Sequence, residues 1–237
     1  MVTNVKKTEE NAPIKISYFS DILCVWAYVA HVRLEELKKT FTNQIAITPY
    51  HVTLFGDTYQ RIAVGWEKQG GYSAFGKHVQ EVCREFPELE INPNVWKTCR
   101  PTSSGVSHLF LKAIQMINNL DSAKKQELDL VKLIEWEIRL AFFRDARDIS
   151  DMKVLFDIAR RHSISKSDIE EYLNDGTAMA LFCSEMAMKD EYKLEGSPTY
   201  LLNNNRQKLY GNVGYKIIEA NVMELIANRC KSSASWC

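Results

Sequence analysis

The stretch Ile14-Lys15-Ile16-Ser17-Tyr18-Phe19-Ser20-Asp21-Ile22-Leu23-Cys24-Val25-Trp26-Ala27-Tyr28 decides the fold, because the hydrophobic period changes inside it. Up to Asp21 the residues alternate in part, as a strand with one buried face does. From Cys24 the period becomes helical, with Ala30, Leu34, Leu37 and Phe41 on one stripe. Ile45 to Val52 then reads as a second strand. Strand, helix and strand in so short a segment form a βαβ unit, whose two strands run parallel.

Working outward, residues 57–190 are dominated by helical patterns. Val131, Ile134, Ile138 and Ala141 share a face, Ser167 with Glu170 suggests a capping box, and Asn174-Asp175-Gly176 is a stop signal. Gly70-Gly71 and the stretch from Pro87 to Pro101 are breaks between helices. The chain then returns to β structure. Thr199 to Leu202 reads as a strand, Asn203-Asn204-Asn205 as a turn, and Gln207 to Tyr210 as the partner strand of a hairpin. Ile217, Ile218, Val222, Leu225 and Ile226 mark a final helix. Neither β part can bury a sheet alone, so the two must pair. The organisation expected is α/β, with 14–56 and 190–230 forming one domain around an inserted helical domain at 57–189. Residues 1–12 read as a disordered leader.

Composition narrows the function. The 237 residues are 46% apolar and 25% charged, ordinary for a globular protein. Lys+Arg and Asp+Glu both number 30, so no basic excess points to nucleic acid. No apolar run is long enough to span a membrane, and the polar start does not read as a secretory signal. The expected compartment is therefore the cytoplasm. The six cysteines, Cys24, Cys83, Cys99, Cys183, Cys230 and Cys237, include no C-x-x-C pair. In a reducing compartment most of them should be inert and buried, or incidental. The five histidines show no ligand spacing, so no metal site is expected.

Two features carry chemistry. Cys24 falls at the start of a helix, where free backbone N–H groups and the helix dipole favour a thiolate, so its thiol should titrate below the free value of about 8.5. The alternative is a small apolar core residue. The second feature is Gly196-Ser197-Pro198-Thr199-Tyr200, a proline at the head of an apolar strand. A strand-start proline needs no function.

Together the two features resemble a known family. Phe19 to Tyr28 resembles the active-site segment D-x-x-C-P-W-C-Y of cytosolic DsbA-like proteins of the FrnE type. Glu195 to Tyr200 resembles their G-V-P-T-F segment, whose cis-proline faces the active cysteine. Phe142 to Asp151 resembles their A-x-F-x-x-x-x-D-I-x-D stretch. The likeness runs over residues 14–228. It implies a thioredoxin-like fold with a large inserted α-helical domain, shared with kappa-class glutathione transferases and hydroxychromene carboxylate isomerases. Those relatives place Ser or Cys at the position of Cys24 and bind glutathione.

Two departures shape the expected chemistry. The family's second cysteine is Ala27 here and its proline is Val25. A mixed disulfide on Cys24 would therefore need an outside thiol to resolve it, with glutathione the natural co-substrate and no tightly bound cofactor. Ser197 stands where the family has Val. The resemblance thus implies Cys24 as nucleophile, with Trp26, Ser197 and Pro198 binding a thiol or disulfide substrate, in a monomer or homodimer. Two other readings share the fold: a glutathione-dependent transferase or isomerase of a small organic molecule, favoured by a deep apolar cleft, and a redox-inactive binding module, favoured by Ala27. Three further positions stay open. Asp21 is either a cap-like acceptor or a charge opposing the thiolate, and Trp26 is either a roof over Cys24 or core. His108 is either a satisfied polar residue or one overlooking Cys24. A tail thiol, Cys230 or Cys237, is a minor candidate for resolving Cys24.

Overall fold

The computed structural model describes residues 12–120 and 130–228. The expectations for the leader and for Cys230 and Cys237 lie outside the described residues. Strand β1 (Ile14–Ser20) leads through a short loop into α1 (Val25–Thr40), followed by β2 (Ile45–His51). A π-helical turn at Tyr59–Val64 and a 3-10 turn at Glu67–Gln69 precede α2 (Gly71–Arg84). Then come α3 (Gly105–Leu120), α4 (Leu130–Phe143), α5 (Met152–Arg161), α6 (Lys166–Asn174) and α7 (Thr177–Glu191). Strands β3 (Thr199–Leu202) and β4 (Gln207–Tyr210) and helix α8 (Tyr215–Ala227) close the described chain.

The four strands form one sheet in the order β2-β1-β3-β4. β1 and β2 are parallel, with Ile14 opposite Ile45, as the βαβ reading requires. β3 returns antiparallel to β1, with Tyr18 opposite Tyr200, and β4 is antiparallel to β3. The Asn203-Asn204-Asn205 turn that joins them holds all three residues at positive φ (51°, 57° and 66°), a region asparagine tolerates better than other side chains.

The alternation along β1 sorts its side chains between two cores. Ile14, Ile16 and Tyr18 pack with Leu34 and Leu37 of α1 and with Ile218, Val222 and Leu225 of α8. On the other face Phe19 and Leu201 meet Val52 and Leu194, partly covered by Met186 and Met188 of α7. The largest core joins the loop residues Ile22 and Leu23 and the start of α1 to α2 through α6. The loop that carries Cys24 is therefore wedged between the C-terminal end of β1 and the block of helices.

One local expectation is corrected. Ser167 and Glu170 form no capping box. The N-cap of α6 is Ser165, with φ −68° and ψ 134° and no side-chain cap, and Ser167 lies inside the first turn with its hydroxyl 2.6 Å from that of Ser165. The stop signal holds: α6 ends at Asn174, and Gly176 at φ +85° becomes the N-cap of α7.

Candidate active site

Cys24 is the N-cap of α1, with extended backbone angles (φ −78°, ψ 117°). Its carbonyl accepts from the N–H groups of Ala27 and Tyr28 at 3.1 and 3.0 Å. Its Sγ donates to the carbonyl oxygen of Ser197 at 3.3 Å. The Ser197–Pro198 peptide bond is cis. The Ser197 hydroxyl accepts from the Asp21 N–H at 2.9 Å, so this one residue grips the Cys24 loop at two points. Tyr210 lies over the preceding residue: a Cβ at Gly196 would stand 2.7 Å from the Tyr210 hydroxyl, so this close approach requires glycine. The structure thus brings Cys24, Ser197 and the cis Pro198 bond together, as the sequence led us to expect.

Every N–H of the loop from Asp21 to Cys24 has a partner, the condition for burying irregular backbone. Asp21 N–H goes to Ser197, Ile22 N–H to Nε2 of His108 at 3.1 Å, Leu23 N–H to Oδ1 of Asp21 at 2.8 Å, and Cys24 N–H to the Asp21 carbonyl at 3.1 Å. Oδ2 of Asp21 accepts from the N–H groups of Leu54 and Phe55 and from Ser104 Oγ, at 2.7, 2.8 and 2.8 Å. Asp21 is therefore more than a local cap: it ties the β1–α1 loop to the segment after β2 and to the start of α3. Burial raises its carboxyl pKa, and the hydrogen bonds from Phe55, Leu23, Ser104 and Leu54 pull it back down.

His108 is fully buried and accepts from the loop backbone, so it is a positioning group for the loop. Its Nδ1 has no partner. Burial, with His51 and Lys112 nearby, holds its pKa well below the usual histidine value, which matches its role as an acceptor.

A buried ionic cluster backs the loop. Arg139 donates from Nη1 to the carbonyls of Asp21 and Ile22, both at 3.1 Å, and from Nη2 to Ser20 Oγ and Glu135 Oε1, both at 2.9 Å. Glu135 Oε2 lies 3.6 Å from His51 Nε2. The His51 main-chain N–H donates to Glu185 Oε2 at 2.8 Å, and Glu185 pairs in turn with Lys112. The sequence reading missed this cluster. Its one legible trace is the pair Glu135 and Arg139 at i, i+4, each following a core residue of α4.

The expectation of a lowered thiol pKa at Cys24 is overturned. Burial pushes the thiol up, and the Asp21 charge adds to the rise, while Ser197, the Ala27 N–H and Arg139 act the other way. The side chain is only 6% exposed, and a thiolate there loses more to desolvation than the helix start returns. Cys83 and Cys99 are buried as well, raised by burial to about 11 and about 12. Cys183, by contrast, is exposed. Among the described residues no cluster of His, Cys, Asp and Glu is arranged to hold a metal ion.

Cys24 lies at the edge of an open cleft of about 400 Å³. Trp26, Phe55, Trp66, Phe75 and Tyr210 give it aromatic walls, and Arg61 and Glu195 place charges in it. Trp26 is half-buried and meets the His78 ring edge-on at 6.4 Å; it lines the cleft with one side and packs against the main core with the other. The sequence points to Cys24, Val25, Trp26, Glu195, Gly196 and Ser197 of this lining, whereas Arg61, Trp66, Phe75 and His78 come from a turn and helix that carry no local functional signal.

No family model matches the chain, and no curated protein sequence matches it. Solved structures do. One from Streptomyces coelicolor, described as a probable DsbA oxidoreductase, superposes with a TM-score of 0.69 at 14% identity, over 92% of each chain. The cytosolic disulfide reductase DsbM from Pseudomonas aeruginosa gives 0.61 at 15% identity, over 88% of this chain and 98% of its own. A 2-hydroxychromene-2-carboxylate isomerase gives 0.62 at 14% identity, over 93% of this chain and 100% of its own. At such identities the likeness is one of architecture. This chain has the DsbA-like thioredoxin fold, with helices inserted between its second and third strands.

Proposed function

We propose that the protein is a thiol–disulfide oxidoreductase or isomerase that works with one nucleophilic cysteine, Cys24, and with glutathione as co-substrate. The observation that carries this reading is the placement of the Cys24 sulfur at a helix start, 3.3 Å from the carbonyl that precedes a cis proline, at the edge of an open cleft. Ala27 stands one turn on, where a second thiol would have to be. Cys24 loses its proton to solvent and attacks one sulfur of a substrate disulfide. A bond forms between Cys24 and that sulfur as the original S–S bond breaks, and the other sulfur leaves as a thiolate that takes up a proton. Glutathione thiolate then attacks the substrate sulfur of the mixed disulfide, forming a glutathione–substrate disulfide as the bond to Cys24 breaks and Cys24 leaves as a thiolate that regains a proton. Trp26, Ser197 and Pro198 bind and orient the thiol arm.

Support for glutathione comes from the missing second cysteine and from a neighbour of the same fold: DsbM has also been solved with glutathione, at a TM-score of 0.59 and 16% identity. Such an enzyme would work in the cytoplasm, where glutathione keeps thiols reduced, as a monomer or homodimer with no nucleic-acid partner. Among the described residues no helix is long and apolar enough to cross a membrane.

The experiment is turnover of a disulfide substrate with and without reduced glutathione, for wild type and Cys24→Ser. Turnover that needs both Cys24 and glutathione supports the reading. Turnover by Cys24→Ser refutes it.

The aromatic walls of the cleft favour a second reading, a glutathione transferase or isomerase acting on a small organic molecule. In that case Cys24 would position glutathione without ever forming a disulfide. Glutathione-dependent turnover of an aromatic substrate, with Cys24 free throughout, would select it.

A further inference from the structure

The cleft beside Cys24 carries two oppositely charged side chains on its aromatic walls, Arg61 and Glu195. Among the described residues that line it, Arg61 is the lone Lys or Arg. Its guanidinium sits over the Phe55 ring, 4.6 Å from the centroid, and it makes no ion pair with a carboxylate. Elsewhere on the described surface, arginines such as Arg144, Arg147, Arg160 and Arg161 do pair with acids. Arg61 is thus held by an aromatic face with its donors turned outward and uncommitted. Glu195, the lone carboxylate of the lining, is exposed to water.

The backbone that carries Arg61 is unusual as well. Residues Tyr59–Val64 form a π-helical turn, closed by the Gly65 N–H donating to the Gln60 carbonyl at 2.9 Å. Such turns widen a helix by one residue and are often found at functional sites. The turn depends on Gly65, since a Cβ there would lie 2.5 Å from the carbonyl oxygen of Arg61 itself. Gly65 also lines the cleft. A glycine is therefore kept where the backbone presents Arg61 to the cleft beside Cys24.

We infer that Arg61 selects the substrate: the cleft takes thiols and disulfides that carry a carboxylate on the arm held along its aromatic wall, and Arg61 receives that carboxylate. This rests on the reading of Cys24 as a thiol-exchange nucleophile. A planar guanidinium suits a carboxylate by offering two parallel N–H donors, and an aromatic face behind it fixes its plane. A cystamine-like cation is repelled by Arg61, and Glu195 is the lone carboxylate of the described lining that could receive it.

The test uses three small disulfides of similar size: dithiodiglycolate (anionic), hydroxyethyl disulfide (neutral) and cystamine (cationic). The rate of mixed-disulfide formation on Cys24 is followed by mass in wild type, Arg61→Gln and Arg61→Lys. The expected result is a wild-type preference of about tenfold for dithiodiglycolate over hydroxyethyl disulfide, worth one charge-assisted hydrogen bond at a partly wet site. That preference should fall in high salt. Arg61→Gln should abolish it and leave the hydroxyethyl disulfide rate unchanged, and Arg61→Lys should keep part of it. Equal wild-type rates for the three disulfides, or an Arg61→Gln that slows all of them alike, would overturn the inference. A parallel arm separates this failure from failure of the Cys24 reading. In Cys24→Ser, glutathione binding is followed through the fluorescence of Trp26 and Trp66, where adding Arg61→Gln should weaken binding about tenfold. If no disulfide modifies Cys24 while this arm still responds to Arg61, the exchange chemistry is wrong and Arg61 remains the anion-reading group. If binding ignores Arg61, the inference fails.

Discussion

The Sγ of Cys24 donates to the main-chain carbonyl of Ser197 at 3.3 Å, although 173 residues separate the two in sequence. That contact joins the two ends of the split β structure at one point, and the pairing of β1 with β3 makes it possible. It also holds the sulfur as a buried hydrogen-bond donor.

The first prediction concerns that proton. Because burial and the Asp21 charge both raise the Cys24 pKa, alkylation of Cys24 should show a pH midpoint above the free-thiol value of about 8.5. Asp21→Asn should move the midpoint down by removing the neighbouring charge. The measurement is the rate of iodoacetamide labelling of the Cys24 peptide across pH. A midpoint below the free value in wild type would contradict the desolvated geometry. An unmoved midpoint in Asp21→Asn would contradict the role given to Asp21.

A second prediction concerns the ionic cluster behind the loop. Glu135→Gln leaves the buried Arg139 guanidinium without its counter-charge and should destabilise the fold by about 3 kcal/mol, the usual cost of breaking a buried pair from one side. The sign with pH follows from the Glu135 carboxyl. Burial raises its pKa, but His51 and Arg139 outweigh burial and hold it well below the ordinary carboxylate range. A depressed carboxyl contributes its full stability above its unfolded pKa, about 4.3, and loses it as pH falls through the folded value. Urea unfolding should therefore show the widest gap between wild type and Glu135→Gln at neutral pH, narrowing below about pH 4. A gap that stays constant into acid would show that packing, and not charge, supplies the stability.

Ala27→Cys gives a third. Ala27 donates its N–H to the Cys24 carbonyl at 3.1 Å, so the two residues share the first turn of α1 and a thiol at Ala27 can reach back. The variant should form an internal disulfide with Cys24 and exchange disulfides without added glutathione, as a dithiol. Absence of that disulfide after mild oxidation, read by mass and by thiol titration, would mean that the turn does not offer the geometry assigned to it.

How much of this the sequence disclosed depended on how local each signal was. The βαβ unit, the Asn203-Asn204-Asn205 hairpin and the final helix rest on periodicity and turn chemistry within a few residues, and all three are present. Cys24 and Ser197 could be paired only because their two segments together resemble a known family. Ser104, His108, Glu135 and Arg139 meet the loop through folding of distant helices, and no local pattern announces such contacts. The thiol pKa failed for the same reason. The helix start is visible in sequence, whereas the burial that outweighs it is a property of the assembled core. Arg61 was hidden for a subtler reason: its π-helical turn depends on Gly65, which looks like any other loop glycine.

The central claim is that Cys24 is the nucleophile of thiol–disulfide exchange and has no resolving partner within its own motif. The most direct test is the intact mass of the protein after incubation with oxidised glutathione, for wild type and Cys24→Ser, with the modified residue located by peptide mapping. The account predicts one glutathionyl group on Cys24 in wild type, stable until reduced glutathione is added, and no modification at that site in Cys24→Ser. Wild-type protein whose Cys24 stays unmodified under these conditions, or an adduct that Cys24→Ser retains in full, would contradict it.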